Sequence, residues 1–133
     1  MENKETAMQN FIQREYNCCQ AIVCTYCKIF NIKEKDVFKM TEGFGSGMGG
    51  LKDTCGAVVG MFLVLGMVNS AGNLHNPFKT KQDTYKKIKE VAKLFKRQCG
   101  SIYCWEIKNN SQMTCEKCVE TAAEILDDYL NKK

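Results

Sequence analysis

The spacing of hydrophobic residues predicts helices along most of the chain. Over residues 8–30 hydrophobic side chains recur every three or four positions, which is the period of an α-helix with one buried face. The same pattern predicts a second helix over residues 32–41. Asn31 would end the first helix, because asparagine tolerates the left-handed conformation that closes helices.

A glycine-rich stretch, GFGSGMGG at residues 43–50, interrupts this pattern and predicts a loop. Residues 55–68 then form an apolar run that is typical of a helix at the centre of a fold, with Asp53 or Thr54 as its N-cap. This run is shorter than the roughly 20 residues that a bilayer-spanning helix needs. The sequence therefore predicts a buried helix and no transmembrane segment.

The second half of the chain predicts two further long helices. Residues 69–78 are predicted to form a surface connection. After it, Thr80 and Asp83 resemble a capping box at the start of a fourth helix. The remaining elements are a short helix or turn at residues 102–107, a polar loop at residues 108–112 and a final helix capped by Thr114. No stretch alternates like a strand. We therefore predict an all-α, single-domain bundle of about five helices over residues 1–133, with a glycine-rich loop before the central helix.

The composition changes the interpretation of the nine cysteines. A chain of 133 residues with 44% hydrophobic side chains can build an ordinary core without disulfides. Nine is an odd number, and the first residues are polar without an apolar signal region, so a secreted disulfide framework is disfavoured. We expect a cytoplasmic protein with reduced thiols.

Positive charge is concentrated in one segment. Residues 79–97 hold eight of the 19 Lys and Arg residues against Asp83 and Glu90, a net charge of +6. This segment is either a solvated helix face or a docking patch for an acidic partner or an anion. Nucleic-acid binding is not expected, because no recognition motif is present.

The glycine-rich stretch formally matches G-x-G-x-x-G. No strand precedes it and no acidic residue follows about 20 positions later, which disfavours dinucleotide binding. Such a stretch still offers close backbone approach and free N–H groups beside the next helix. The candidate cofactor-binding glycines are Gly45, Gly47, Gly49, Gly50 and Gly56.

Cys55 is the strongest candidate for a reactive thiol from position alone. It lies at the expected first turn of the central helix, where unpaired N–H groups lower the pKa of a thiol. Two C-x-x-C pairs, one at Cys24 and Cys27 and the other at Cys115 and Cys118, would supply four thiolates to zinc. Their separation lies far outside the spacing of known zinc modules, so this interpretation is weaker.

Taken together, these residues resemble the C_GCAxxG_C_C family of redox-active proteins. The resemblance runs from YNCCQA at residues 16–21, through the glycine-rich stretch and CGAVVG at residues 55–60, to Cys104 and Cys115. It implies that the four cysteines of the family pattern are Cys18, Cys55, Cys104 and Cys115. The other five cysteines would then be core residues or additional thiols. Cys19 could replace Cys18, Cys99 could replace Cys104 and Cys118 could replace Cys115.

The resemblance also implies a cofactor and a partner. Four thiolates are the ligands that an iron-sulfur cluster requires, and similarity to the cluster-bearing part of split-Soret cytochromes suggests a [2Fe-2S] centre. No C-x-x-C-H haem site is present. The resemblance implies a transporter component as the partner, whereas the lysine-rich segment favours an acidic redox protein, and whether the chain forms a homodimer stays open.

Two other hypotheses remain at this stage. In the first, the chain is a thiol-disulfide protein in which Cys55 attacks and another of the four cysteines resolves. In the second, it is a non-enzymatic interaction module stabilised by zinc.

Overall fold

The structure, a computed structural model, describes residues 2–111 and 113–131 and shows a helical chain. The helices are α1 (Asn3–Ile12), α2 (Cys18–Thr25), α3 (Cys27–Phe30), α4 (Glu34–Thr41), α5 (Gly45–Met48), α6 (Gly56–Asn69), α7 (Lys81–Cys99), α8 (Cys104–Glu106) and α9 (Cys115–Asn131). A 3-10 turn (Glu42–Phe44) precedes α5, and a π-helical turn (Ile107–Ser111) follows α8. No strand occurs in these two ranges, so the all-α prediction is confirmed. The helices are shorter and more numerous than the five we expected.

The predicted first helix is in fact three helices. The chain leaves α1 at Gln13, takes a left-handed conformation at Glu15 (φ 60°) and starts α2 after Asn17. The Asn17 side chain accepts a hydrogen bond from the Gln20 N–H at 2.8 Å, and the Gln20 side chain accepts one from the Asn17 N–H at 2.9 Å. This capping box starts a new helix, although the hydrophobic period continues because both helices face the same core. Asn31 has φ 61°, as predicted.

The glycine-rich stretch forms a short, tightly wound segment in place of the open loop that we expected. Ser46 (φ 49°) and Gly47 (φ 67°) take left-handed conformations within α5. The backbone then extends through Asp53 and Thr54, so neither of them is the N-cap of the central helix, and Cys55 occupies that position.

Contacts with the segment before α8 explain this shift of the N-cap. The Cys104 N–H donates to the Asp53 carbonyl at 2.6 Å, and the Cys55 N–H donates to the Ile102 carbonyl at 2.8 Å. Thr54 and Tyr103 form an isolated antiparallel bridge between them. These pairings keep residues 53–54 extended and bring Cys104 beside Cys55.

The starts of the last two long helices differ in their capping. Thr80 lies at the N-cap of α7, but its hydroxyl accepts from the Ala71 N–H at 3.2 Å, so the expected capping box does not form. The Thr114 hydroxyl accepts from the Lys117 N–H at 3.0 Å, which confirms the predicted cap of α9. Residues 108–111 of the predicted polar loop are part of the π-helical turn, and residue 112 lies outside the described residues.

The core lies between α2, α6, α7 and α9, and α1 covers one side. The hydroxyl of the buried Tyr26, which lies between α2 and α3, donates to Asp127 Oδ1 at 2.8 Å and lies 3.2 Å from the Ala123 carbonyl, so this junction is tied to α9. One continuous cluster of buried side chains extends from Ala7 to Leu126. Within the described residues no helix has both the length and the apolar character to cross a membrane.

Candidate functional site

A cavity of about 140 Å³ lies where the N-terminal ends of α2, α6, α8 and α9 meet, next to α5. Five cysteines line it: Cys18, Cys55, Cys104, Cys115 and Cys118. Apolar side chains, among them Phe11, Ile107 and Met113, form much of the remaining wall. The four cysteines expected from the family pattern therefore surround one space, and Cys118 is an additional member.

Helix starts position these sulfurs. Cys18 is the first residue of α2, Cys55 is the N-cap of α6 and Cys115 is the first residue of α9. Unpaired N–H groups and the positive end of the helix dipole favour negative charge at such positions. Of these three thiols, Cys55 and Cys115 have a lowered pKa.

Two glycines permit the close packing around the cavity. A Cβ on Gly47 would lie 2.7 Å from the Cys104 Cβ and 2.7 Å from the Lys52 Cα. A Cβ on Gly56 would lie 3.1 Å from the Cys18 Cβ and 2.9 Å from the Phe44 carbonyl oxygen. Both glycines line the cavity. A side chain at either position would push the cysteine-bearing segments apart.

The other three candidate glycines, Gly45, Gly49 and Gly50, belong to the same segment as Gly47 but do not line the cavity. The N–H groups of Gly49 and Gly50 donate to the Gly45 carbonyl at 2.8 and 3.2 Å. Gly45 packs against Asn17, where an added Cβ would lie 2.6 Å from the Asn17 Cβ. These glycines shape the turn that carries Gly47.

Cys115 is an acidic thiol of the cavity. Hydrogen bonding by the neighbouring Cys18 thiol, with the cations of Lys108 and Lys52, lowers the pKa of Cys115 to about 6 against the opposing effect of burial. The same hydrogen bond, together with burial, raises the pKa of Cys18. The proton of this pair therefore lies on Cys18, and the half-buried Cys115 carries the charge.

A second pair involves Cys55. Hydrogen bonding by the Cys118 thiol lowers the pKa of Cys55, and the backbone N–H groups of Ala57 and Val58 contribute in the same direction. The pKa of Cys118 is raised by its hydrogen bonds to Cys55 and Cys99. Burial raises the pKa of Cys104. Position in the sequence pointed to Cys55, and the contributions of Cys18 and Lys108 to the low pKa of Cys115 come from tertiary contacts that the sequence does not show.

The four remaining cysteines do not line this cavity. Cys19, Cys24 and Cys27 are buried along α2 and α3, and burial raises the pKa of each. Cys99 is fully buried at the end of α7. Among the described residues, no three Cys, His, Asp or Glu side chains are close enough together to hold a single metal ion. The cavity thiols thus surround a space instead of converging on one point.

These features define a helical protein in which five of the nine cysteines, from four separate helices, are gathered around one cavity. The family model described as "Putative redox-active protein (C_GCAxxG_C_C)" matches residues 16–129. The chain therefore belongs to the C_GCAxxG_C_C family. Comparison with the curated proteins and with the solved structures gave no match.

Proposed function

We propose that this chain is an electron carrier in which Cys18, Cys55, Cys104 and Cys115 ligate a [2Fe-2S] cluster. The observation that supports this most directly is that these four cysteines, from four separate segments, line one cavity. Cysteine thiolates are the ligands of such clusters, and a bound [2Fe-2S] centre accepts and releases single electrons.

The cavity fits a group of several atoms better than a lone ion. Its thiols stand around a volume of about 140 Å³, and within the described residues no three of the potential ligands approach a common point. A cluster places its own iron and sulfide between the cysteines, whereas tetrahedral zinc requires four sulfurs about 2.3 Å from one centre. Three of the four cysteines are less than 10% exposed, which keeps water away from the site.

The surrounding charges also suit an anionic centre. Lys52 and Lys108 act on the charge of Cys115, and the N–H groups at the start of α6 point towards Cys55. Four thiolates and bridging sulfides carry net negative charge, so nearby cations and hydrogen-bond donors stabilise them and influence the reduction potential.

The first test is an absorption spectrum of anaerobically purified protein, with iron, zinc and acid-labile sulfide measured on the same sample. The proposal requires absorbance above roughly 400 nm together with matching iron and sulfide. Cys18→Ala should abolish the absorbance and the bound iron and sulfide. The control Cys24→Ala also replaces a buried cysteine of α2, but one that does not line the cavity, so this variant should retain them. Colourless protein without iron would contradict the proposal, and stoichiometric zinc would support the zinc module instead.

A thiol-disulfide function is the second candidate, favoured by the contact between Cys18 and Cys115. In this alternative the Cys115 thiolate attacks a disulfide of a partner protein, and Cys18 displaces the partner from the mixed disulfide. The partner gains two thiols, and Cys18 and Cys115 become a disulfide. Iron-free protein in which mass spectrometry finds a Cys18–Cys115 disulfide would favour this function.

We place the acidic partner on α7. Lys93 and Lys96 are exposed and line a surface cleft of about 210 Å³ with Tyr103 and Glu106. Tyr103, which is 42% exposed, directly precedes the cavity residue Cys104. A partner bound to this cleft would lie close to the cysteines.

Charge reversal tests this docking site. A fluorescent hexaglutamate peptide serves as the acidic probe, and the Lys93→Glu/Lys96→Glu variant should weaken its binding in a salt-dependent way. The matched control, Lys35→Glu/Lys39→Glu on α4, makes the same charge change at exposed lysines of another helix. Equal losses in both variants would show only a general charge effect and contradict the assignment to α7.

A further inference from the structure

The loop between α6 and α7, residues 70–79, exposes large hydrophobic side chains. Every residue of this loop is exposed. Leu74 is 88% exposed and Phe78 is 71% exposed, and Met67 on the last turn of α6 is exposed as well. Exposed hydrophobic side chains that are grouped in one segment mark a surface that contacts a protein or a membrane.

Hydrogen bonds within the loop satisfy much of its backbone. The Asn76 N–H donates to the Asn73 carbonyl at 3.2 Å, and the Lys79 N–H donates to the Asn76 carbonyl at 3.1 Å. The Asn73 side chain accepts from the N–H groups of His75 and Asn76, both at 3.0 Å. Pro77 has no N–H group to satisfy. Because unsatisfied polar groups are costly outside water, this bonding lowers the cost of placing the loop in a less polar medium.

Positive charge lies beside the exposed hydrophobic side chains. Lys79 is the last residue of the loop, and Lys81 is the first residue of α7. The Lys81 Nζ lies over the Phe78 ring, 4.5 Å from its centroid. No Asp or Glu occurs over residues 54–82. The next acidic residue, Asp83, forms an ion pair at 3.5 Å with a lysine one turn further along α7.

We propose that this loop binds the surface of an anionic lipid bilayer. Leu74 and Phe78 enter the boundary between headgroups and acyl chains, and Lys79 and Lys81 lie at the level of the lipid phosphates. Insertion removes hydrophobic surface from water, and each lysine is attracted by the negative surface potential of acidic lipids. This binding site does not depend on the proposed electron-carrier function.

The charge of the loop favours a lipid surface over a second copy of the chain. In a symmetric dimer the same surface patch meets itself, so Lys79 and Lys81 would face their own copies. Residues 54–82 offer no carboxylate to pair with them, and like charges opposed across an interface weaken it. A protein partner would also need a pocket shaped for each exposed hydrophobic side chain, whereas lipids rearrange around them.

The loop and the cysteine cavity lie at opposite ends of α6. Cys55, which lines the cavity, is the N-cap of α6, and the loop follows Asn69 at its C-terminal end. The 14 residues of this helix, at about 1.5 Å per residue, separate the two sites by roughly 20 Å. A chain attached through the loop would therefore hold the cavity away from the lipids, where a partner can reach it.

Vesicle sedimentation tests the proposal with the full chain. The probes are phosphatidylcholine vesicles with and without about 30% phosphatidylserine. We expect binding to the mixed vesicles, and this binding should weaken as the salt concentration rises. Binding to pure phosphatidylcholine should be at least about tenfold weaker, because the lysines no longer gain from acidic headgroups.

Two variants test the hydrophobic contribution. Leu74→Ser/Phe78→Ser should weaken binding to the mixed vesicles at least about tenfold, because the side chains that insert are lost. The matched control, Met40→Ser/Leu51→Ser, replaces two exposed hydrophobic side chains outside the loop and should bind like wild type.

A second pair of variants tests the charge. Lys79→Gln/Lys81→Gln should weaken binding about 25-fold, at roughly fivefold for each lysine near an anionic surface. The matched control, Lys35→Gln/Lys39→Gln, removes the same charge from exposed lysines of α4 and should bind like wild type.

Tryptophan fluorescence tests which end of the protein meets the lipids. Trp105 is the only tryptophan of the chain and follows the cavity residue Cys104. Lipids with brominated acyl chains should leave the emission of Trp105 unchanged in wild type. In Phe78→Trp/Trp105→Phe, the emission of the new indole should shift to the blue on vesicle binding and be quenched by the brominated lipids.

Several results would overturn the proposal, whether or not the protein holds a cluster. No binding to the mixed vesicles, or equal losses in a loop variant and its control, would do so. Binding that needs Lys79 and Lys81 but not Leu74 and Phe78 would show adsorption without insertion. A dimer that Leu74→Ser/Phe78→Ser converts to monomer, without vesicle binding, would assign the loop to a second copy. Binding of the hexaglutamate peptide through Lys79 and Lys81, without vesicle binding, would assign it to an acidic protein.

Discussion

Replacing Gly47 by alanine tests the close approach on which the cavity depends. Gly47 has φ 67°, and an added Cβ would lie 2.7 Å from the Cys104 Cβ, 2.7 Å from the Lys52 Cα and 2.8 Å from the Asp53 nitrogen. Two of these three atoms belong to the backbone and cannot turn away. The variant should therefore be strained by its left-handed backbone and also by steric overlap.

The two costs can be separated with a matched control. Gly72 has a similar φ of 62°, but an added Cβ there meets no atom within 4 Å. A left-handed alanine costs about 1–2 kcal/mol at either position. Overpacking adds about 1–3 kcal/mol at Gly47 alone. We expect Gly47→Ala to be less stable than Gly72→Ala by about 2 kcal/mol, the middle of that range.

Urea unfolding followed by circular dichroism measures this difference. With a slope of about 2 kcal/mol per molar urea, the midpoint of Gly47→Ala should fall about 1 M below that of Gly72→Ala. If the proposed cluster is present, Gly47→Ala should also lose absorbance above roughly 400 nm, because Cys104 must move. Equal midpoints for the two variants would refute the close contact between Gly47 and Cys104.

Three further predictions concern particular side chains. In metal-free protein, the rate of Cys115 alkylation by iodoacetamide should rise with pH around a midpoint of about 6. Lys108→Gln should move that midpoint upward, because a cation that stabilises the thiolate is lost. A wild-type midpoint near the ordinary thiol pKa of about 8.5 would contradict this prediction. Tyr26→Phe removes the hydrogen bond to Asp127 and should cost about 1–2 kcal/mol in urea unfolding, so an unchanged midpoint would argue against that bond. Asn17→Ala removes the cap of α2 and should cost about 1 kcal/mol in the same assay, whereas Asn17→Asp should retain most of the stability.

Local patterns in the sequence predicted much of the secondary structure. Hydrophobic periodicity identified α6, α7 and α9. As expected, Asn31 ends a helix and Thr114 caps the start of another. The continuous first helix was wrong, although the capping residues Asn17 and Gln20 were visible in the sequence. Periodicity alone cannot reveal such a break when the helices on both sides bury the same face.

The cavity is the feature that tertiary structure decided. Resemblance to a family selected Cys18, Cys55, Cys104 and Cys115, but their separation along the chain does not show whether they meet. The pairing of residues 53–55 with residues 102–104 brings Cys104 beside Cys55, and this contact involves backbone groups that any sequence offers.

The sequence by itself determined the helical class, the positions of the long helices and the presence of thiols at two helix starts, those of Cys55 and Cys115, because these follow from interactions between residues a few positions apart. Only the tertiary structure decided which thiols are neighbours. It made Cys115 a neighbour of Cys18, and Cys118 a neighbour of Cys55 and Cys99. Thiol acidity and disulfide partners depend on distances of a few ångströms between distant segments, and those distances are fixed by the packing of the helices.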